Sequence, residues 1–471
     1  MKTEKLTHIY FIGIGGIGMS ALARYFKSLG KDVSGYDKTP TTLTAELEKE
    51  GIRISFKDEP DSIPVAFNSN SGNPETVLVV YTPAIPKDQK IFNHFKTLGL
   101  PLKKRSEVLG MITADSYTIA VAGTHGKTTT SSIIAHLLTH AGYNCTAFMG
   151  GISKNYNTNY LPGKPSAGKN MVVVEADEYD RSFLTLNPDL SVITSMDADH
   201  LDIYGDKNYM EESYRMFAAK LKPGGKLFFR SGLGLENMGL NYSTYSINEQ
   251  SDIVAGNVRI KNHQYHFDWS DKNGTITDLT SDLPGWHNVE NSAVSIALAR
   301  HIGLSDSQIM NGLKSYSGVR RRFDIQVRSS NVVYIDDYAH HPEELRACIS
   351  SARELYPGKK IMGIFQPHLY SRTRDFVDGF AKSLSLLDEL LLLDIYPARE
   401  LPIPGVDSSI ILQKMDNRSV TLCHKEDVLK ILENKKFDVL LSLGAGDIDQ
   451  LVAPIRKYLQ STHLQTLENE K

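Results

Sequence analysis

The sequence predicts an α/β protein of three domains. The outer two are Rossmann-like, and the central one is of P-loop type, with a parallel sheet plus a small β-rich part. Three observations carry this. Apolar runs of strand length alternate with helical patterns along most of the chain, which is the signature of parallel sheets. Two of those runs end in glycine-rich turns that open helices, at 13–18 and at 123–128. Polar clusters gather after the strands, and in open α/β sheets that edge is where ligands bind. A length of 471 residues, at about 150 per domain, is consistent with three units. The expected boundaries are 1–107, 108–322 and 323–471.

Composition narrows the function classes. Hydrophobic residues make up 41% and charged residues 23%, as in ordinary soluble proteins. A net charge of −3 argues against an extensive nucleic-acid surface, though not against local phosphate sites. Cys145, Cys348 and Cys423 are far apart and lack metal-ligand spacing, which fits a reducing cytosol. The first residues lack a signal peptide's apolar core and cleavage site. The greasiest stretch, 384–393, is short and carries Asp388 and Glu389, so no membrane insertion is expected.

In the first domain His8–Ile12 reads as a buried strand. Gly13-Ile14-Gly15-Gly16-Ile17-Gly18 follows, matching G-x-G-x-x-G, and 20–29 reads as a helix. The strand Asp32–Tyr36 ends at Asp37, about 20 residues beyond the glycines, where an acid meets a ribose hydroxyl. This pattern specifies a diphosphate and a sugar, which a UDP-sugar offers as well as a nicotinamide dinucleotide. Val77–Tyr81 is another strand, followed by Thr82-Pro83-Ala84-Ile85-Pro86 at its carboxyl end. The basic run Lys103-Lys104-Arg105 reads as a solvated linker.

The central domain opens on the strand Tyr117–Ala122 and Gly123-Thr124-His125-Gly126-Lys127-Thr128-Thr129, with a helix to about 141. Glycines turn backbone N–H groups onto phosphate oxygens, and the helix N-terminus adds partial positive charge. In such a loop the lysine reaches the β- and γ-phosphates and the following hydroxyl sits on Mg²⁺. Val121 replaces the first glycine of the strict pattern, so this is a variant P-loop. Strand 171–174 runs into Glu175-Ala176-Asp177-Glu178-Tyr179-Asp180, where an NTPase places its metal carboxylate. Glu175, at the strand's end, is the best candidate; Glu178 and Asp180 read equally well as loop solvation. Strand 190–195 leads to Asp197-Ala198-Asp199-His200, a second acid-and-histidine cluster. Short alternating runs at 252–260 and 264–269 predict the β-rich part. Gly285-Trp286-His287-Asn288-Val289-Glu290-Asn291 opens an apolar helix through Ile302. His287 and Asn291, four apart, would share a helix face and either hold a base or cap the helix. Arg320, Arg321 and Arg322 form a solvated hinge or a phosphate clamp.

In the third domain, strand 332–335 precedes Asp336-Asp337-Tyr338-Ala339-His340-His341-Pro342 and a helix over 343–355. Ile361–Phe365 precedes Gln366-Pro367-His368-Leu369-Tyr370-Ser371-Arg372-Thr373-Arg374. Strands at 389–393 and 438–443 complete a doubly wound sheet.

Taken in order, the motifs at 13–18, 123–129, 175–180, 199–200, 287–291, 318–323, 336–342 and 366–374 resemble those of the Mur ligases. These are the ATP-dependent amide-forming enzymes of peptidoglycan stem-peptide synthesis. The likeness runs from about residue 8 to about 455. It implies a UDP-binding domain, a central ATPase domain and a C-terminal amino-acid-binding domain in a cytoplasmic bacterial enzyme, monomeric or homodimeric. For the alanine-adding branch it implies that ATP phosphorylates the lactyl carboxylate of UDP-N-acetylmuramate and that L-alanine then attacks the acyl phosphate.

By motif position, the resemblance assigns Lys127, His200 and Glu175 to catalysis. It gives Mg²⁺, as two ions replaceable by Mn²⁺, to Thr128, Glu175 and His200. ATP contacts fall to Gly123 through Thr129, His287, Asn291, Arg321, Arg322 and Asp337. The UDP-sugar falls to Gly13, Gly15, Gly16, Ile17, Gly18, Asp37, Thr82 and Ala84, and alanine to Tyr338, His340, His368 and Arg372. Two positions depart from the wider family. Leu369 stands where arginine is usual, so the alanine carboxylate rests more on Arg372. Arg215 stands where later ligases carry a carbamylated lysine, which agrees with the alanine-adding branch. The alternatives are a ligase adding a ready-made tripeptide to the same UDP sugar, an NAD-dependent dehydrogenase argued from 13–18 and Asp37, and a non-catalytic nucleotide-binding regulator.

Overall fold

A computed structural model describes residues 5–68, 75–83, 85–86, 88–164, 170–197, 204, 206–398, 400–415 and 419–469. The chain forms two compact units. The first comprises residues up to 256 with 268–279 and 290–317; the second comprises 257–267, 280–289 and 318–471.

The first unit holds the N-terminal sheet and most of a second one. The N-terminal one is parallel, in the order Arg53–Ser55, Asp32–Tyr36, His8–Ile12, Val77–Tyr81, Leu102–Lys104. Its central strand lies between the second and fourth, in register at Ile12↔Tyr36 and Ile12↔Tyr81. Strand order reverses there, and a crevice opens at the carboxyl ends. Gly13 and Thr82, the first residues past those two strands, therefore face one another across it.

The second sheet has ten strands. Tyr117–Ala122 sits between Leu190–Ile193 and Met171–Glu175. The pairs Ala122↔Ile193 and Val121↔Glu175 bring both neighbours to an end beside Gly123. Beyond Lys226–Arg230 and Tyr242–Ile247 the sheet continues through Ile253–Lys261, Gln264–Asp271 and Gly274–Ser281, the predicted β-rich part. Among the described residues no helix is long and apolar enough to cross a membrane.

The expected boundary at 107 falls inside the helix Arg105–Thr113. The two sheets of this unit are also joined through helix Ile17–Ser28 and its buried Arg24. The Arg24 guanidinium donates to Glu50 through Nε at 3.0 Å and to Asn159 Oδ1 at 2.5 Å. Asn159 in turn donates to the Ile17 carbonyl at 2.6 Å. A buried cation needs such a filled shell of acceptors, so these contacts fix the helix against strand Thr158–Leu161.

In the second unit a six-stranded sheet runs Asp324–Arg328, Val333–Asp337, Val439–Leu443, Ile361–Phe365, Glu389–Leu392, Val420–Leu422. The first pairing is antiparallel and the rest are parallel. Asp337 and Phe365 both align with Leu443, so the clusters after 337, 365 and 443 share one edge.

Candidate active site

The P-loop is the most constrained part of the first unit. Gly126 adopts φ +84°, a left-handed conformation that suits glycine, and a Cβ there would lie 2.6 Å from Asn291 Oδ1. That packing brings Asn291 to the loop. The His125 N–H donates to Ser195 Oγ at 2.9 Å and the Thr124 N–H to the Ser195 carbonyl at 3.3 Å. The Thr194 hydroxyl donates to the His125 carbonyl. The carboxyl end of strand Leu190–Ile193 thus braces the loop, a role that sequence reasoning missed.

Lys127 begins the helix Lys127–His140 and folds back over the loop. Its Nζ donates to the Gly123 carbonyl at 2.6 Å and lies 2.9 and 2.8 Å from the two oxygens of Glu178. The Glu178 side chain is 2% exposed. Loop solvation, one of the two sequence readings of Glu178, therefore gives way to a buried ion pair. Arg181 and Asp180 both have positive φ, 53° and 52°, and turn the chain just beyond this glutamate. Burial pushes the Glu178 carboxyl up to about 7, against the pull of Lys127. Burial also works against the Lys127 charge, but Glu178, Glu175 and Asp177 together outweigh it and raise its pKa.

Glu175 ends the strand Met171–Glu175, and one of its oxygens accepts the Gly150 N–H at 3.0 Å. Its other oxygen and the Thr128 hydroxyl make no hydrogen bond among the described residues. Two oxygen donors with unfilled acceptor capacity fit a hard divalent ion such as Mg²⁺. His200 and Ala84 lie outside the described residues.

A cavity of ≈ 270 Å³ joins the two sheets' sites. Gly16, Ile17, Gly18 and Thr82 line one side, and Gly150, Glu175 and Asp177 the other, with Arg105 between them. Arg105 donates to Asp177 at 2.9 Å, and a Cβ on Gly18 would lie 2.7 Å from its Nη1. Lys104 pairs with Asp180 at 2.9 Å. Within the basic run expected to be a solvated linker, Arg105 is docked on the loop after Glu175, while the Lys104–Asp180 pair stays half-exposed. The Gly15 N–H donates to Asp37 Oδ2 at 2.7 Å, and the Gly16 N–H bonds the Gly13 carbonyl at 3.3 Å. Asp37 thus shapes the loop, and the amides of Ile17 and Gly18 in the first helical turn have no partner within the helix.

The second unit gathers its own cluster. The Asp337 oxygens accept the Phe323 N–H at 2.6 Å and the Ala339 N–H at 2.8 Å. Burial pushes that carboxyl up to about 6, although Arg322 and the two amides pull it down. Arg321 donates to buried Asp336 at 3.2 Å and to the Gly444 carbonyl at 2.6 Å. Arg321 and Arg322 lie 5.1 and 5.4 Å from the Tyr338 ring centre. The hinge reading of these arginines as merely solvated is thereby replaced by docking on the third sheet. His340 bonds Glu344 at 3.1 Å and sits edge-on to His368, with ring centres 6.0 Å apart. His368 stacks on Tyr396 at 5.7 Å. Leu369 holds φ +70°, an uncommon value for a branched side chain. Arg372 lies in helix Tyr370–Asp375 beyond it. His287 lies exposed against Gly285 in this unit.

Three family models match in sequence order: the Mur ligase family catalytic domain over 8–117, the Mur ligase middle domain over 121–299, and the Mur ligase glutamate ligase domain over 321–446. The chain belongs to the Mur ligase family. Among its Mur ligase relatives, the UDP-N-acetylmuramate–L-alanine ligase of Flavobacterium psychrophilum is 50% identical, over 98% of this chain and 99% of its own. The ligase of the same name from Parabacteroides distasonis is 48% identical over 98% of each chain. The crystal structure of UDP-N-acetylmuramate–alanine ligase MurC from Thermotoga maritima matches with a TM-score of 0.82 and 28% identity. That match covers 97% of this chain and 99% of that one. A murein peptide ligase structure from Psychrobacter arcticus shares the Mur ligase fold, at TM-score 0.69 and 22% identity.

Proposed function

We propose that this chain joins L-alanine to the lactyl carboxylate of UDP-N-acetylmuramate, consuming ATP and giving UDP-N-acetylmuramoyl-L-alanine, ADP and phosphate. The observation that carries the reading is the cavity in which the Gly16–Gly18 turn, Arg105 and Glu175 meet. It lets a diphosphate held on the first loop present its acyl end to the P-loop side of the same unit. Near-full-length identity of about half to relatives bearing that activity supports the choice of substrates.

In the first step a lactyl carboxylate oxygen attacks the γ-phosphorus, the bond to ADP breaks, and an acyl phosphate forms. In the second, the alanine amine attacks the acyl carbon, the bond to phosphate breaks, and the amine sheds a proton. Bringing an anion to an anion calls for positioning and fixed charge. Lys127 supplies charge at the loop. Glu178 is a positioning residue that holds the ammonium over the glycines until phosphate oxygens take its place. Arg105 faces the UDP diphosphate together with the amides of Ile17 and Gly18. Thr128 and Glu175 would hold one Mg²⁺, with His200 on a second, and Mn²⁺ could substitute. Bound there, the metal neutralises phosphate charge. His287, Asn291, Arg321, Arg322 and Asp337 serve ATP; Tyr338, His340, His368 and Arg372 serve alanine. The three-domain division at about 107 and 322, a cytoplasmic location and a monomer or homodimer belong to the same proposal.

The test is phosphate release from ATP and UDP-N-acetylmuramate with L-alanine alone, with glycine or serine, or with the stem tripeptide alone. Alanine-dependent release is expected. Release with the tripeptide and none with alanine would overturn the reading.

A further inference from the structure

We propose that the amino-terminal edge of the central sheet carries a second anion site, formed by Lys226, Lys272 and His301, for a phosphorylated small molecule. The site is a cavity of ≈ 840 Å³ in the first unit, lined by these residues together with Phe228, Tyr242 and Arg300. That volume lies in the range of nucleotide-sized ligand pockets. It is separate from the P-loop. Lys226 aligns with Leu190, and Leu190 with Ile119, four residues before Gly123. At about 3.3 Å per residue the two edges are some 13 Å apart along the strands, with two strand spacings between them.

The charge balance inside the cavity points to an anion. Its acids are already engaged. Asp252 accepts the Thr244 N–H at 2.8 Å and its hydroxyl at 3.1 Å. Asp271 accepts Arg300 at 3.0 Å and the Asn273 N–H at 2.8 Å. Arg300 also pairs with Asp306 at 3.1 Å. Lys226 and Lys272 make no ion pair among the described residues. Lys226 instead lies over the Phe228 ring, 5.0 Å from its centre, and His301 meets the same ring edge-on at 6.0 Å. The Lys226 pKa is lowered, by burial first and then by Lys272, against the pull of Asp252 and Asp271; that of His301 is lowered by burial and then by Lys226. Two lysines that repel one another, Lys226 and Lys272, lose that repulsion when an anion sits between them.

The test uses the full chain and a local readout. Lysine acetylation by an N-hydroxysuccinimide ester is followed residue by residue by mass spectrometry, with inorganic pyrophosphate or UMP as the probe. Each probe is expected to slow modification of Lys226 and of exposed Lys272 by at least about fivefold and leave Lys457, also exposed, unchanged. Lys272→Gln is expected to raise the concentration that protects Lys226 by about tenfold while ligase turnover stays as in the wild type. Equal protection by sodium chloride at matched ionic strength, or an unshifted Lys272→Gln variant, would overturn the site.

Discussion

Both glycine-rich loops turn a buried strand into a helix, yet the first sets an acid against its backbone and the second a lysine. In the first, Asp37 takes the Gly15 N–H at 2.7 Å, and the cation beside the loop, Arg105, comes from a later helix. In the second, Lys127 springs from the loop itself and waits on Glu178 at 2.8 Å. Under the proposed function, the difference separates holding from reacting. A diphosphate that only needs to be held can rest on amides and a side-on cation. A phosphoryl group that moves needs a charge inside the loop, kept in place by a partner it can leave.

Removing that inner charge is the hardest break. Lys127→Ala should lower phosphate release by about three orders of magnitude. Binding of UDP-N-acetylmuramate, measured by calorimetry, should remain. Loss of both together would mean that the two loops are not separable in function.

Glu178→Ala comes next. Above pH 7, where the carboxyl is ionised, it takes the nearest anion from a buried ammonium, so the ATP-free protein should lose about 3–5 kcal/mol of stability. ATP should restore part of that loss. The rise in Tm on adding ATP should therefore exceed that of the wild type; an equal rise would show that ATP does not replace Glu178 at the lysine.

On the first loop, Asp37→Asn weakens a charge-assisted bond to Gly15. The KM for the UDP sugar should rise about tenfold with the KM for ATP unchanged. A matching rise for ATP would blur the division of labour.

The smallest effect is on pH dependence. The Glu178 carboxyl titrates near 7 in the folded chain, against 4.5 when unperturbed. Between those values the folded state keeps a proton that the unfolded state has released, so this group's contribution falls as pH rises through the window. Urea melts at pH 5 and 7 should show the wild type losing about 1–2 kcal/mol more than Glu178→Gln over that interval. Identical slopes would mean that Glu178 is ionised throughout.

Much of the molecule was legible because its signals are local. His8–Ile12 and Tyr117–Ala122 are apolar runs bounded by glycine turns, and the helix from Trp286 to Ile302 follows its own turn. The misreadings share a cause. Lys103-Lys104-Arg105 has the same appearance whether solvated or docked, and only the neighbouring Asp177 and Asp180 decide between them. Glu175 and Glu178 are the same residue type three positions apart. Strand register fixes the first beside Val121, and the turn through Asp180 and Arg181 follows the second where it meets Lys127. Thr194 and Ser195 gave no motif at all, since they act only by ending next to the P-loop.

By itself, then, the sequence determined the α/β class, both phosphate-type loops and the order of the polar clusters, because periodicity and short motifs act through neighbours along the chain. Which charge meets which was decided by the tertiary structure. Arg105 on Asp177, Asp37 on Gly15 and Lys127 on Glu178 join residues that register and burial bring together across 22 to 72 positions of sequence. An ion pair's strength depends on distance and on the exclusion of water, and neither is written in the spacing of letters.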